Sequence, residues 1–227
     1  TILIAFFAEF MELFYKEIAA EITINSVQFV DKETFTDLPL GEKKVLDVLV
    51  KVQTISGKPS EFFIHIEVES GYPTDFPERM FNYYTALRLR HHLPVFSIVL
   101  YLEKQGQGLW RETHREALMG KRVVLFDYEA IGLPELDAET YLATGNPLAF
   151  ALAAQMKRGD WSKARLKYEC LSRIARCAVD DARKSLLINW VQTYLELSES
   201  EQQAFDTLVA ASPFVEEVRT VLLTYEG

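Results

Sequence analysis

Cysteine is scarce in this chain of 227 residues, with two in all, and histidine occurs four times. Cys170 and Cys177 fall seven apart in a helical stretch, about 10 Å along the axis. That separation is too long for a disulfide between them, and the scarcity suits a reducing, intracellular compartment; the expected localisation is cytoplasmic. No Cys-x-x-Cys or His-Glu-x-x-His occurs, which removes the usual zinc patterns. His91 and His92 are adjacent and point apart on a helix, so they do not share a metal. Neither Gly-x-Gly-x-x-Gly nor a phosphate-loop sequence is present, so no nucleotide cofactor is expected, and there is no Gly-x-Ser-x-Gly nucleophile elbow. The apolar start, residues 1–14, is interrupted by Glu9 and Glu12 and lacks the basic start and cleavage pattern of a signal peptide. It reads as an amphipathic helix and not as a membrane span. The chain opens on Thr1 without a methionine, as a trimmed chain would. Internal repeats and low-complexity tracts are missing as well.

Charged residues at 25% and hydrophobic ones at 49% match an ordinary globular protein. The net charge of −9 argues, taken whole, against a nucleic-acid partner. By segment the chain carries −8 over residues 1–78, +5 over 79–122, −5 over 123–156, +5 over 157–184 and −6 over 185–227. Two basic blocks therefore sit beside an acidic region. Either segment charges simply scatter, or the basic flanks serve a phosphate backbone while the acids serve an ion.

Along the chain, residues 2–20 carry Ile2, Phe6, Phe10, Leu13, Phe14 and Ile18 at helical spacing. Glu9 falls off that stripe, either solvated or turned into a site. Residues 22–35 are β-prone, ending at Asp31 and Glu33, and 38–41 read as a turn. Residues 47–53 and 61–70 form two β-rich runs around a Gly57-Lys58-Pro59 turn and read as a hairpin. Asp75-Phe76-Pro77-Glu78 has the form of a capping box, so a helix starts near Phe76. On that helix Arg79, Tyr83, Ala86 and Arg90 share one face, and Met80, Tyr84 and Leu87 another. Residues 94–102 read as a central strand buried on both faces, 103–120 as a loop with a short helical portion, and 121–127 as another short buried strand. From Pro147 onward the pattern is helical only, in segments 147–156, 161–179, 181–195, 199–210 and 213–225. Strand, helix and buried strand in succession predict a mixed α/β sheet, with domains over 1–145 and 146–227.

The residues that carry chemistry lie in the hairpin. Side chains two apart on a strand share a face, so His65, Glu67 and Glu69 line one side of 61–70, with Ile64, Ile66 and Val68 on the other. Asp47 stands opposite on the neighbouring strand. Clustered carboxylates repel unless a cation or proton is shared, and a hard divalent cation such as magnesium resolves that with one or two carboxylates and several waters. Arg79 follows closely enough to reach the same end of the sheet, where it either holds a phosphate or pairs with Glu67 or Glu69.

The ordered set Val30-Asp31-Lys32-Glu33, Leu46-Asp47-Val48-Leu49-Val50-Lys51-Val52, Ile64-His65-Ile66-Glu67-Val68-Glu69-Ser70 and Phe76-Pro77-Glu78-Arg79-Met80-Phe81-Asn82-Tyr83, followed by Leu93-Pro94-Val95, resembles the PD-(D/E)XK nuclease superfamily. Within it the wording is similar to the recombination-promoting (Rpn-like), transposase-related nuclease family, over about residues 5–130. The resemblance implies a restriction-endonuclease-like mixed β-sheet flanked by helices, followed by an all-helical C-terminal extension. It also implies a magnesium-dependent DNA endonuclease, with manganese able to replace magnesium, acting on DNA, with a homodimer allowed and no membrane partner. Asp47 and Glu67 would then ligate the metal with the Val68 backbone carbonyl, and Glu9 and Glu33 would be accessory acids. Arg79, Arg88 and Arg90 would contact phosphate. The chain departs from the superfamily at Glu69, where lysine is usual, and Lys51, four along from Asp47, is the residue that would substitute. The alternative expectation is a nuclease fold that has lost catalysis and acts as a binding or interaction module, and an incidental surface pair of acids is the third.

Overall fold

The computed structural model describes residues 2–30, 47–55, 60–71, 73–103 and 107–225. In chain order the helices and strands begin with α1 (Ile2–Ala5), α2 (Phe7–Phe14), α3 (Lys16–Glu21), β1 (Gln28–Phe29), β2 (Val48–Gln53) and β3 (Glu61–Glu69). Then come α4 (Phe76–His91), β4 (Val95–Tyr101), β5 (Leu109–Leu118), β6 (Lys121–Gly132), α5 (Ala138–Leu142) and α6 (Pro147–Leu152). The chain ends in α7 (Lys163–Arg176), α8 (Asp181–Tyr194), α9 (Glu199–Ala210) and α10 (Val215–Tyr225). Two compact units result, one made of Thr1–Lys16 with Leu133–Gly227, the other of Glu17–Gly132. The first two helices thus group with the C-terminal helices, which differs from a division at 145. The fold is α/β, and no described helix is long and apolar enough to cross a membrane.

The sheet unit holds six strands in the order β1-β2-β3-β4-β6-β5. β2 and β3 pair antiparallel, as the hairpin reading requires, with Val48 opposite Ile66 and Gln53 opposite Glu61. β3 runs parallel to β4, and β4 parallel to β6. A parallel pair needs a crossover, and α4 supplies it between β3 and β4. One side of α4 buries Phe76, Met80, Tyr83 and Leu87 against Leu49, Phe63, Val99, Tyr101, Tyr128 and Ala130 of the sheet. Each such apolar side chain contributes about 1.5–3 kcal/mol when fully buried. Tyr83 therefore belongs with Met80 and Leu87, not on a separate face with Arg79 and Arg90. The α4 start is where expected, but Asp75 is αR and makes no side-chain cap bond, so the capping box is not formed.

Three expectations are revised, and a fourth is covered only in part by the described residues. Residues 2–20 are three helices, broken at Phe6 and Tyr15 without glycine or proline. Of the run 22–35, only Gln28–Phe29 is strand within the described part, after a 3-10 turn at Ile24–Ser26, and Asp31, Glu33 and the 38–41 turn lie outside the described residues, as does the 57–59 turn. Residues 109–118 form the edge strand β5, in a stretch read as loop, because Arg111, Glu112, Arg115 and Glu116 hide any apolar alternation. Residues 121–127 are mostly exposed, and the buried part of β6 is its second half, 128–132.

In the helical unit, side-chain caps start several of the helices. Asp137 accepts from the Thr140 amide, Ser162 from Arg165, Asp180 from Arg183, and Ser198 forms a full capping box with Glu201. Asn146 caps α6 through the Leu148 amide and donates Nδ2–H to the Glu9 carbonyl at 2.8 Å, tying α2 to α6. Leu187 and Leu195 are buried in the core of this unit, and Leu186 and Trp190 are half-buried.

The β5–β6 connection is a two-residue turn in which Met119 (φ 51°) and Gly120 (φ 76°) are both left-handed. Such turns favour Asn-Gly, and a left-handed non-glycine residue costs about 1–2 kcal/mol. Met119 is almost fully exposed and loses nothing on replacement. Met119→Asn is expected to stabilise the protein by up to about 1 kcal/mol, read as a rise of about 2–4 °C in Tm by calorimetry.

Candidate functional site

The β2–β3 register sets the site. Paired residues of an antiparallel ladder share a face, and with Leu49 opposite His65 the next pair on that face is Asp47 with Glu67. Asp47 lies just before β2 and is locked there by two reciprocal bonds. Its amide donates to Glu67 Oε1 at 3.2 Å, and the Val68 amide donates to Asp47 Oδ2 at 2.9 Å. Each carboxylate thus holds the backbone of the other's strand, and the two acids predicted as a pair are brought together.

The face was expected to be the solvated side of a half-buried strand, and it is not. His65 is fully buried and Glu67 is 5% exposed, because α4 covers this side of the sheet while Ile64 and Ile66 are buried on the other. A buried carboxylate needs donors, since an unsatisfied polar group costs about 1–3 kcal/mol and a charged one more. Glu67 Oε1 takes a second bond from His65 Nε2 at 2.8 Å. A carboxylate can only accept, so Nε2 is the protonated ring nitrogen in this contact.

At the end of β3, Glu69 pairs with Arg79 on the first turns of α4, whose guanidinium also lies 4.6 Å from the centre of the Phe76 ring. Of the alternatives for Arg79, the ion pair with Glu69 is the one formed. Tyr83, one turn further along α4, packs edge-on against His65 with ring centres 5.4 Å apart. Burial first, then the negative charges of Glu67, Asp47 and Glu69 against the opposing Arg79, push its hydroxyl up to about 12. Tyr83 therefore sits in the field of all three acids. Its spacing of four from Arg79 put it beside the site, while its burial came from the fold.

The other candidates take no part in this exchange among the described residues. Lys51 donates to Glu61 at 2.9 Å, holding that exposed carboxyl below its usual range. It is four residues from Asp47, about 13 Å along the strand. Together with burial and Arg90, the Lys51 charge also pushes His91 down, which puts Lys51 by the C-terminal end of α4, away from the acid pair. Arg88 and Arg90 lie at that end too, about 13–17 Å along the helix from Arg79. Glu9 belongs to the helical unit and pairs with Arg183, whose guanidinium also lies over Phe6. Glu33 is outside the described residues.

Among the described residues there is no group of three or more His, Cys, Asp or Glu side chains that could hold a metal ion. What the site offers is two neighbouring carboxylates, oxygen donors of the kind a magnesium ion takes while keeping several waters. Oxygen donors of this kind fit a hard cation. No protein-family model matches the chain, and no similar protein is found among curated proteins or among solved structures.

A tyrosine held near 12 in the folded state against 10 in the unfolded chain keeps its proton longer when folded. Its contribution to stability is complete below pH 10 and lost as pH rises from 10 to about 12. Chemical denaturation across that window is expected to show stability falling less steeply in Tyr83→Phe than in the wild type, and equal slopes would contradict the placement.

Proposed function

We propose that this protein is a metal-dependent DNA endonuclease of the PD-(D/E)XK type, related to the transposase-associated, Rpn-like nucleases, working in the cytoplasm with magnesium or manganese. The observation that carries the reading is the reciprocal locking of Asp47 and Glu67, which holds two carboxylates together at the carboxyl end of β3. Ligands of open α/β sheets gather at that end of the parallel strands. Asp47, Glu67 and the Val68 carbonyl would hold the cation. Bound there, it supplies an activated water for attack on a phosphodiester and offsets charge on the phosphate.

The chain's own groups take the remaining roles. Burial under α4 keeps bulk water from Glu67, which strengthens its interaction with a cation. Glu69 stands where the superfamily has lysine, and Arg79 brings a guanidinium to that same place. We assign the stabilising positive charge to Arg79, beside the acids, and not to Lys51, four residues and about 13 Å along the strand from Asp47. Arg88 and Arg90, at the other end of α4, would serve the DNA backbone at a distance.

A second reading is favoured by the same ion pairs. Both candidate cations, Lys51 and Arg79, already have carboxylate partners. A nuclease fold without catalysis, acting as a binding module, would look the same.

Plasmid nicking with magnesium or manganese separates the two. The first reading expects cleavage that falls about 10³-fold in Asp47→Ala and in Glu67→Ala, the loss of several kcal/mol of metal assistance. It expects Arg79→Ala to be impaired and Lys51→Ala to cleave like the wild type. Cleavage surviving both acid substitutions contradicts the site, and a folded wild type that binds DNA without cutting it selects the second reading.

A further inference from the structure

His65 is the one histidine that touches the acid pair, and its surroundings are unusual for a core residue. It is fully buried in the middle of β3, between Leu49 of β2 and Ser97 of β4 in the strand register. Tyr83 closes the remaining side with its ring edge-on at 85°. Nε2 is 2.8 Å from Glu67 Oε1, while Nδ1 has no hydrogen-bond partner. The Ser97 hydroxyl beside it, 4% exposed, has none either. A residue present only to fill this space would be aliphatic and leave no buried nitrogen unpaired. Among the described residues the hydrogen bond of the His65 ring is to Glu67.

Both donors to Glu67, the Asp47 amide and His65 Nε2, fall on the same oxygen, Oε1. Two N–H bonds occupy the lone pairs of that oxygen and fix the carboxylate plane. The oxygen that serves a cation is then Oε2, and Glu67 binds through one oxygen.

We propose that His65 is a positioning residue for Glu67, setting the one-oxygen presentation of that carboxylate to the cation. The proposal rests on the acid-pair reading of the site. Hydrogen-bond partners of ligating carboxylates typically contribute about 10–100-fold in metal affinity.

Calorimetric titration of the intact chain with manganese, in the absence of DNA, tests it, with thermal melting run in parallel. The wild type takes up manganese and Asp47→Ala does not. His65→Leu removes the donor but keeps an apolar side chain of similar size, and its manganese affinity is expected to fall about 10–100-fold with an unchanged or higher melting temperature. His65→Gln carries an N–H where Nε2 stood and is expected to recover most of the affinity. His65→Asn, too short to reach Oε1, is expected to bind like His65→Leu. The Gln and Asn pair decides the matter even where His65→Leu does not fold. Manganese uptake by His65→Leu or His65→Asn at wild-type affinity overturns the positioning role and leaves the acid pair standing, and a Gln variant as weak as Asn overturns it too. A folded wild type that takes up no manganese overturns the acid-pair reading itself, and the proposal with it.

Discussion

The exchange of two hydrogen bonds between Asp47 and the end of β3 is the constraint on which the sheet unit's site depends. Neither bond is long-range electrostatics; each is a backbone amide meeting a carboxylate, and such charge-assisted bonds are about twice as strong as neutral ones. Together they continue the β2–β3 pairing one residue beyond the last ladder pair. A slip of one residue would turn Asp47 and Leu49 to the opposite face and leave Glu67 buried without its amide donor. Register, burial and charge placement are thus one fact seen three ways.

The covering helix turns that local exchange into a site. α4 crosses from the end of β3 to the start of β4, so its first turns stand over the acids and its last turns over the opposite end of the sheet. Arg79 and Tyr83 come from the first turns, and Arg88, Arg90 and His91 from the last. The three arginines of α4 are therefore spread along about 17 Å of helix. Behind the acids, Glu112 of β5 is buried and accepts from the hydroxyls of Tyr101 at 2.8 Å and Tyr128 at 2.7 Å. Trp110 stacks on Tyr101, and the glutamate is held as a satisfied core carboxylate.

Much of this was legible because periodicity and burial agreed. The β3 and β4 runs, the helix from Phe76 and the periodicity of the C-terminal helices all carried patterns that their environments required. The edge strand β5 did not, because its inward positions include Glu112, a carboxylate made acceptable by two tyrosines far away in sequence. The breaks at Phe6 and Tyr15 left no signal, since neither residue is a helix breaker. At the site, the pairing of Asp47 with Glu67 followed from the hairpin alone. The place of Lys51 did not, because a shared face says nothing of distance along a strand, and Glu61, two residues from its ladder partner Phe63, is the carboxylate it reaches. The burial of His65 was hidden for a related reason: alternation of Ile and charged residues looks the same whether the polar face meets water or a helix.

The central claim is that Asp47 and Glu67 together form a cation site. Anomalous diffraction from crystals grown with manganese addresses it directly. The account predicts one manganese peak about 2.1 Å from a carboxylate oxygen of each residue, on Oε2 of Glu67, with waters completing the shell. A fully occupied ion bound elsewhere, with no manganese at the Asp47 and Glu67 carboxylates, would contradict it.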